Sequence, residues 1–159
     1  MTKRITMAAA TAGHAEGGTL LNAFDNALLA AGIGNVNLVK VSSILPPEVS
    51  VVELPKIKPG SIIPTAYAAM TSDVPGETIA AAVGYAVPDD PAKNGVIMEF
   101  HGRSSRDEAR RTIEAMLEEA FRVRGESIRD MKVFAVEHTV ERTGCALAAI
   151  ALLGEDDLA

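Results

Sequence analysis

At 159 residues and 16.6 kDa the chain fits a single domain, long enough to bury a core without disulfides. Fifteen basic against 21 acidic side chains leave a net charge of −6, which excludes the basic footprint that nucleic acid or an anionic membrane surface requires. Hydrophobic residues reach 48% but aromatics only 4%, so the core must be closely packed Ala, Val, Ile and Leu, and a mean hydropathy of +0.17 implies subunits that cover apolar faces on one another.

Met1 to Ala12 reads as a first strand or a loose arm, and Gly13-His14-Ala15-Glu16-Gly17-Gly18 as a flexible loop. That loop lacks the Gly-Lys-Ser/Thr ending of a phosphate loop, so it is a structural turn. Thr19 can cap a helix over Leu20 to Ala31, with an apolar stripe through Leu21, Phe24, Leu28 and Ala31 and a stop at Gly32. Val36 to Val41 is a β-branched run that ends in Ser42-Ser43, and Pro46-Pro47 then forbids its continuation. The serine pair therefore sits at a constrained strand end.

Ser50 to Leu54 is a short strand, and Pro64 inside the extended segment Ser61 to Thr71 predicts an edge or a bulge. Ser72 to Glu77 is a turn. From Thr78 to Val87 the residues alternate: Ile79, Ala81, Val83, Tyr85 and Val87 share one face, while Ala80, Ala82, Gly84 and Ala86 form a small one that invites close approach by another layer. Pro88 to Asn94 is a polar loop and Gly95 to Gly102 a strand. Ser105 and Glu108 form a capping box before Ala109, Ile113, Met116, Leu117, Ala120 and Phe121, with Gly125 beyond the helix end. Lys132 to Val140 and Cys145 to Leu153 read as strands joined by a hairpin turn, followed by a frayed acidic tail from Gly154 to Ala159.

Helices framing mostly antiparallel strands give an α+β sandwich of the αββα type, as one domain over residues 1–159. Cys145 is alone and so excludes an intramolecular disulfide; amid Ala and Leu it reads as a small buried hydrophobe. With no signal-peptide core and no apolar run that could cross a bilayer, a cytoplasmic protein without a membrane partner is expected. His14, His101 and His138 show no metal-ligand spacing, so no metal is expected.

Six segments, in this order and spacing, carry a family resemblance over roughly Ala12 to Leu152. They are Asn22-Ala23-Phe24-Asp25, the run from Gly32 to Leu38, Ser42-Ser43 with Pro46-Pro47, Pro64 to Tyr67, Ser72 to Thr78, and Val136 to Glu141. Together they resemble pyruvoyl-dependent arginine decarboxylases. The resemblance implies self-cleavage between Ser42 and Ser43 into a β chain (1–42) and an α chain (43–159), with Ser43 becoming the covalent pyruvoyl cofactor. It implies arginine as substrate, agmatine as product, and a trimer or dimer of trimers with sites between subunits.

The same resemblance maps the family's proton donor onto Glu99, in Ile97-Met98-Glu99, although Phe100-His101 follow where members carry a tyrosine and an acid. It maps onto Asn37 the asparagine beside the pyruvoyl group, onto Asp25 the acid that pairs with the guanidinium, and onto Leu28 a wall for the aliphatic stem. Asn37 lies six residues before Ser43, so a regular strand would put both on one face. A serine hydroxyl can attack the preceding carbonyl when strain and hydrogen bonds lower the barrier. Two rival readings keep the fold: the same chemistry on another amino acid, or a catalytically silent oligomeric binding protein.

Overall fold

The computed structural model describes residues 3–159; Met1 and Thr2, the start of the expected arm, lie outside the described residues. Two sheets stack face to face. The first has the order β2-β5-β9-β1-β4, formed by β1 (Met7–Glu16), β2 (Asn37–Lys40), β4 (Ser50–Val51), β5 (Ile62–Ser72) and β9 (Gly144–Leu153). The second has the order β3-β7-β6-β8, formed by β3 (Ile44–Leu45), β6 (Thr78–Pro88), β7 (Gly95–Gly102) and β8 (Ile128–Thr139). Helix α1 (Leu20–Ala30) covers the outer face of the first sheet and α2 (Arg106–Arg124) that of the second, which is the expected αββα sandwich.

Alternation along the strands builds these layers. On β6, Ile79, Ala81, Val83 and Tyr85 face the first sheet, where they meet Ala146, Ala148 and Ile150 of β9. Ala80, Ala82 and Ala86 face α2 and pack on Ala109, Ile113 and Leu117. Gly84 permits the closest approach: a Cβ there would lie 2.5 Å from Ile113 Cγ2 and 3.0 Å from the Lys132 carbonyl oxygen. β9 is buried along its whole length because both of its faces are covered, which explains its unbroken apolar run. Burial pushes the Cys145 thiol up to about 12, in keeping with an inert core side chain.

Helix α2 keeps one half of its expected capping box and its glycine stop. Ser105 Oγ accepts from the Glu108 N–H at 3.2 Å, and Gly125 closes the helix at φ 69°. Helix α1 is capped by Thr19, but its buried stripe is Ala23, Ala27, Leu28 and Ala31, while Leu21 is 75% exposed. The small residues win that face because β1 and β9 approach closely: a Cβ on Gly13 would meet the Ala27 carbonyl oxygen at 2.7 Å.

Several expectations change. Gly13 to Glu16 is not a loop but the end of β1, paired with β9 from Gly13↔Leu147 to Glu16↔Gly144. The β8–β9 link is no hairpin, since β8 belongs to the second sheet and β9 to the first. Strand β4 stops at Val51. Pro64 lies within β5, between β2 and β9, rather than on an edge. Ser61 and Thr65 present their carbonyls to β2, so Pro64 points the other way, toward β9, whose ladder begins only at Thr65↔Ala151. Its missing N–H therefore costs no ladder bond. The acidic tail is also ordered: Asp157 is buried, accepts the Gly154 N–H at 2.8 Å and pairs with Lys3 at 2.8 Å.

Replacing Gly84 by valine is expected to lower stability by about 1–3 kcal/mol through overpacking against α2. A denaturant midpoint equal to that of the parent would contradict the close packing described.

Candidate active site

The chain passes from the first sheet to the second through Val41, Ser42 and Ser43, between the end of β2 at Lys40 and the start of β3 at Ile44. Both ends of this crossing are pinned. Val41 N–H donates to the Thr65 carbonyl at 3.2 Å, and the Ser43 carbonyl accepts the Ile97 N–H at 2.9 Å. Leu45 is buried in the core between the sheets, and Pro46 follows it. Between these anchors Ser43 adopts φ 78°, a left-handed conformation that a non-glycine residue enters at a cost of about 1–3 kcal/mol. Strain was expected near this peptide bond, and it resides on the second serine.

Strand β7 places Ile97 in the core between the sheets and sends Met98 and Phe100 toward α2. Glu99 stands on the Ile97 side, paired with Val83 across β6. Its Oε2 accepts a long hydrogen bond from Ser43 Oγ at 3.4 Å, and its Oε1 lies 3.4 Å from Lys40 Nζ. The carboxylate therefore faces an ammonium on one oxygen and the serine hydroxyl on the other. Ser42, Ser43, Glu99, Met116 and Arg124 border a cavity of about 290 Å³, near the lower end of ligand-site volumes.

The other expected site residues lie elsewhere in this chain. Asn37 is exposed at the start of β2, where its Nδ2 donates to the Gly60 carbonyl at 3.3 Å. Regular alternation ends at Lys40, so the face-sharing expected of Asn37 and Ser43 is broken by the turn at Ser43. Asp25 is exposed on α1, and Leu28 is buried beneath the same helix. Both belong to the outer layer over the first sheet, whereas Ser43 and Glu99 meet at β3 and β7 of the second.

Sequence reading missed three groups near polar sites. Lys40, three residues before Ser43, signals itself only once the chain is known to turn between them. Arg124 and Met116 come from α2, distant in sequence. The third is a cluster that joins the sheets at β1 and β8: His14 Nδ1 lies 2.8 Å from His138 Nδ1, and His138 Nε2 contacts Glu16 Oε2. Glu16 also accepts the N–H groups of Glu141, Arg142 and Thr143 at 3.3, 2.8 and 3.0 Å, so it anchors the crossing from β8 to β9. Burial alone would raise the Glu16 carboxyl, but the His138 contact and these three N–H groups outweigh it and hold the pKa at about 2. Among the described residues no group of three or more His, Cys, Asp or Glu side chains could hold a metal ion.

The stacked sheets share their fold with a solved pyruvoyl-dependent histidine decarboxylase, at a TM-score of 0.51 and 19% identity over 61% of this chain and 52% of that one. The match spans about half of that solved chain, and it shows a shared fold. Residues 7–157 match the family model described as pyruvoyl-dependent arginine decarboxylase. A relative of that name from Methanocaldococcus jannaschii is 54% identical over 141 residues, covering 89% of this chain and 86% of its own. Another, from Pyrococcus horikoshii, is 48% identical over 151 residues, covering 93% and 92%. The chain belongs to the pyruvoyl-dependent arginine decarboxylase family.

The Glu16 anchor sets a pH dependence. Its folded pKa of about 2 lies below the ordinary 4.5, so its stabilisation is complete above 4.5 and is lost as pH falls through about 2. With the side chain 29% exposed, the loss is on the order of 2 kcal/mol after solvent screening. Glu16→Gln is expected to be less stable at pH 7 and to show a flatter stability curve between pH 4.5 and 2. Parallel curves for the two proteins, measured by denaturant titration, would contradict the assignment.

Proposed function

We infer that the protein decarboxylates L-arginine to agmatine and carbon dioxide, using a pyruvoyl group made from Ser43 as its covalent cofactor. The observation that carries this reading is a left-handed Ser43, its hydroxyl directed at Glu99, in a chain matched to the family over residues 7–157. The residues present suit such a group. Ser43 is half-buried beside a cavity, its backbone is strained, and a carboxylate stands next to its hydroxyl.

The cofactor would come from the chain itself. Ser43 Oγ attacks the Ser42 carbonyl carbon as its proton passes to Glu99, the new C–O bond replaces the C–N bond, and the freed nitrogen takes a proton. The ester then loses the Ser43 α-proton and eliminates, releasing Ser42 as a carboxylate at the end of 1–42. Hydrolysis of the resulting dehydroalanine gives the ketone at the start of 43–159 and ammonia. When present, the pyruvoyl group supplies an electrophilic carbonyl that condenses with the substrate amine and accepts the electrons freed as carbon dioxide leaves.

The remaining work falls to side chains. Glu99 holds the proton that the α-carbon must receive. Asp25 offers the guanidinium a planar, two-oxygen partner. Leu28 shapes the floor beneath the stem, and Asn37 orients the polar end. Asp25 and Leu28 sit on the outer layer over the first sheet and Ser43 on the second, which supports a site completed between subunits of a trimer or pair of trimers. Exposed Val39 and Ile44 flanking the crossing, with Ile62 at the other end of the β2–β5 pair, supply apolar surface for such contacts. A cytoplasmic setting is consistent with the single cysteine. No helix among the described residues is long and apolar enough to cross a membrane.

Supplying single amino acids and measuring carbon dioxide should give release with arginine far above that with lysine, ornithine or histidine. Equal release from several would contradict arginine specificity, and none from any would exclude the activity. Ser43→Ala is expected to remain full-length and inactive, while full activity in that variant would overturn the proposal. Asp25→Asn should still be cleaved but show a KM for arginine raised roughly 10–100-fold, the scale of a lost charge-assisted pair. An unchanged KM would remove Asp25 from the site.

A further inference from the structure

Lys40 has no role in the reading above, yet its position is specific. It is the last residue of β2 in the first sheet, and its Nζ reaches across to Glu99 Oε1 of the second sheet at 3.4 Å. The ammonium also stands 5.2 Å from the centroid of the Tyr67 ring on β5, close enough for a cation–π contact. Two separate partners thus define where this charge sits. The two Glu99 oxygens divide between them the two ends of one short stretch of chain: Oε1 faces Lys40, and Oε2 faces Ser43 Oγ.

A carboxylate on a flexible side chain can rotate about its last bond and present either oxygen in many directions. An ammonium on one oxygen removes that freedom and fixes the direction of the other. Here the second oxygen is left facing the hydroxyl whose proton it takes as Oγ bonds to the Ser42 carbonyl carbon. We propose that Lys40 is a positioning residue for the self-cleavage between Ser42 and Ser43, acting through Glu99. This rests on the self-processing inferred above. Lys40 donates no proton and forms no bond in the step; the Ser43 hydroxyl proton passes to Glu99, the C–O bond forms, the C–N bond breaks, and the amine is protonated.

The side chain of Lys40 is 53% exposed on a four-residue edge strand, so its replacement leaves the core intact. This allows a clean test on the full chain, with cleavage followed over time on denaturing gels after synthesis. Lys40→Met is expected to slow the appearance of the two fragments about 10-fold or more, with unchanged circular dichroism and melting. Lys40→Arg, which keeps a cation within reach of Glu99, is expected to restore most of the rate. The double variant Lys40→Met with Glu99→Gln should cleave no more slowly than Glu99→Gln alone, because the lysine works only through the carboxylate. Cleavage of Lys40→Met at the parent rate, or losses that multiply in the double variant, would overturn the role of Lys40 while leaving self-processing in place. A parent chain that never cleaves would overturn both.

Discussion

Everything specific to this molecule depends on how its backbone moves from one sheet to the other. The passage is made through Val41, Ser42 and Ser43, with a hydrogen bond to β5 on one side and another to β7 on the other. A relaxed extended segment cannot make that turn, and the unfavourable dihedral falls on Ser43. The neighbouring structure tolerates the strain because Leu45 is buried in the core and the Ser43 carbonyl is bonded to Ile97. Fold and chemistry thus share one device: the same pins that hold the sandwich together hold a serine hydroxyl beside a carboxylate.

The surrounding architecture is shaped to make those pins rigid. Alanine and glycine on β6, β9 and the buried stripe of α1 bring the four layers close, so a Cβ added at Gly13 or Gly84 would meet a backbone oxygen within 3.0 Å. Polar groups then tie the sheets together at two places. Glu16, with His138, gathers the N–H groups of the β8–β9 crossing, and Lys40 joins Glu99 beside the β2–β3 crossing. Each tie lies where the chain changes sheet, and at the β8–β9 crossing Glu16 also satisfies backbone N–H groups that strand pairing does not.

Elements governed by local chemistry can be read directly from residue order. The cap at Ser105, the stop at Gly125 and the two faces of β6 are examples, because each depends on spacing within a few residues. The αββα layering follows from those faces. Features decided by distant partners cannot be read in this way. Gly13 to Glu16 has the composition of a loop yet is a strand, because it pairs with Leu147 to Gly144 of β9, and the close approach of α1 leaves room only for glycine at position 13. The acidic C-terminus is ordered by Lys3 and by backbone pairing of Ile57 with Leu158, neither of which its composition announces. The resemblance names Ser43 and Glu99, and the structure brings them together; Asn37, Asp25 and Leu28, named by the same resemblance, lie apart from the serine within one chain. His14 and His138, 124 positions apart, touch only because two sheets stack.

The proposed chemistry requires the bond between Ser42 and Ser43 to rearrange within the chain, with Glu99 taking the hydroxyl proton, and to leave a ketone behind. Mass spectrometry of the purified, denatured protein addresses it most directly. The expected result is two fragments that meet after Ser42, the larger one lighter by one ammonia than a serine-started fragment of the same residues. A single mass equal to that of the intact, unmodified chain in a preparation that releases carbon dioxide from arginine would contradict it.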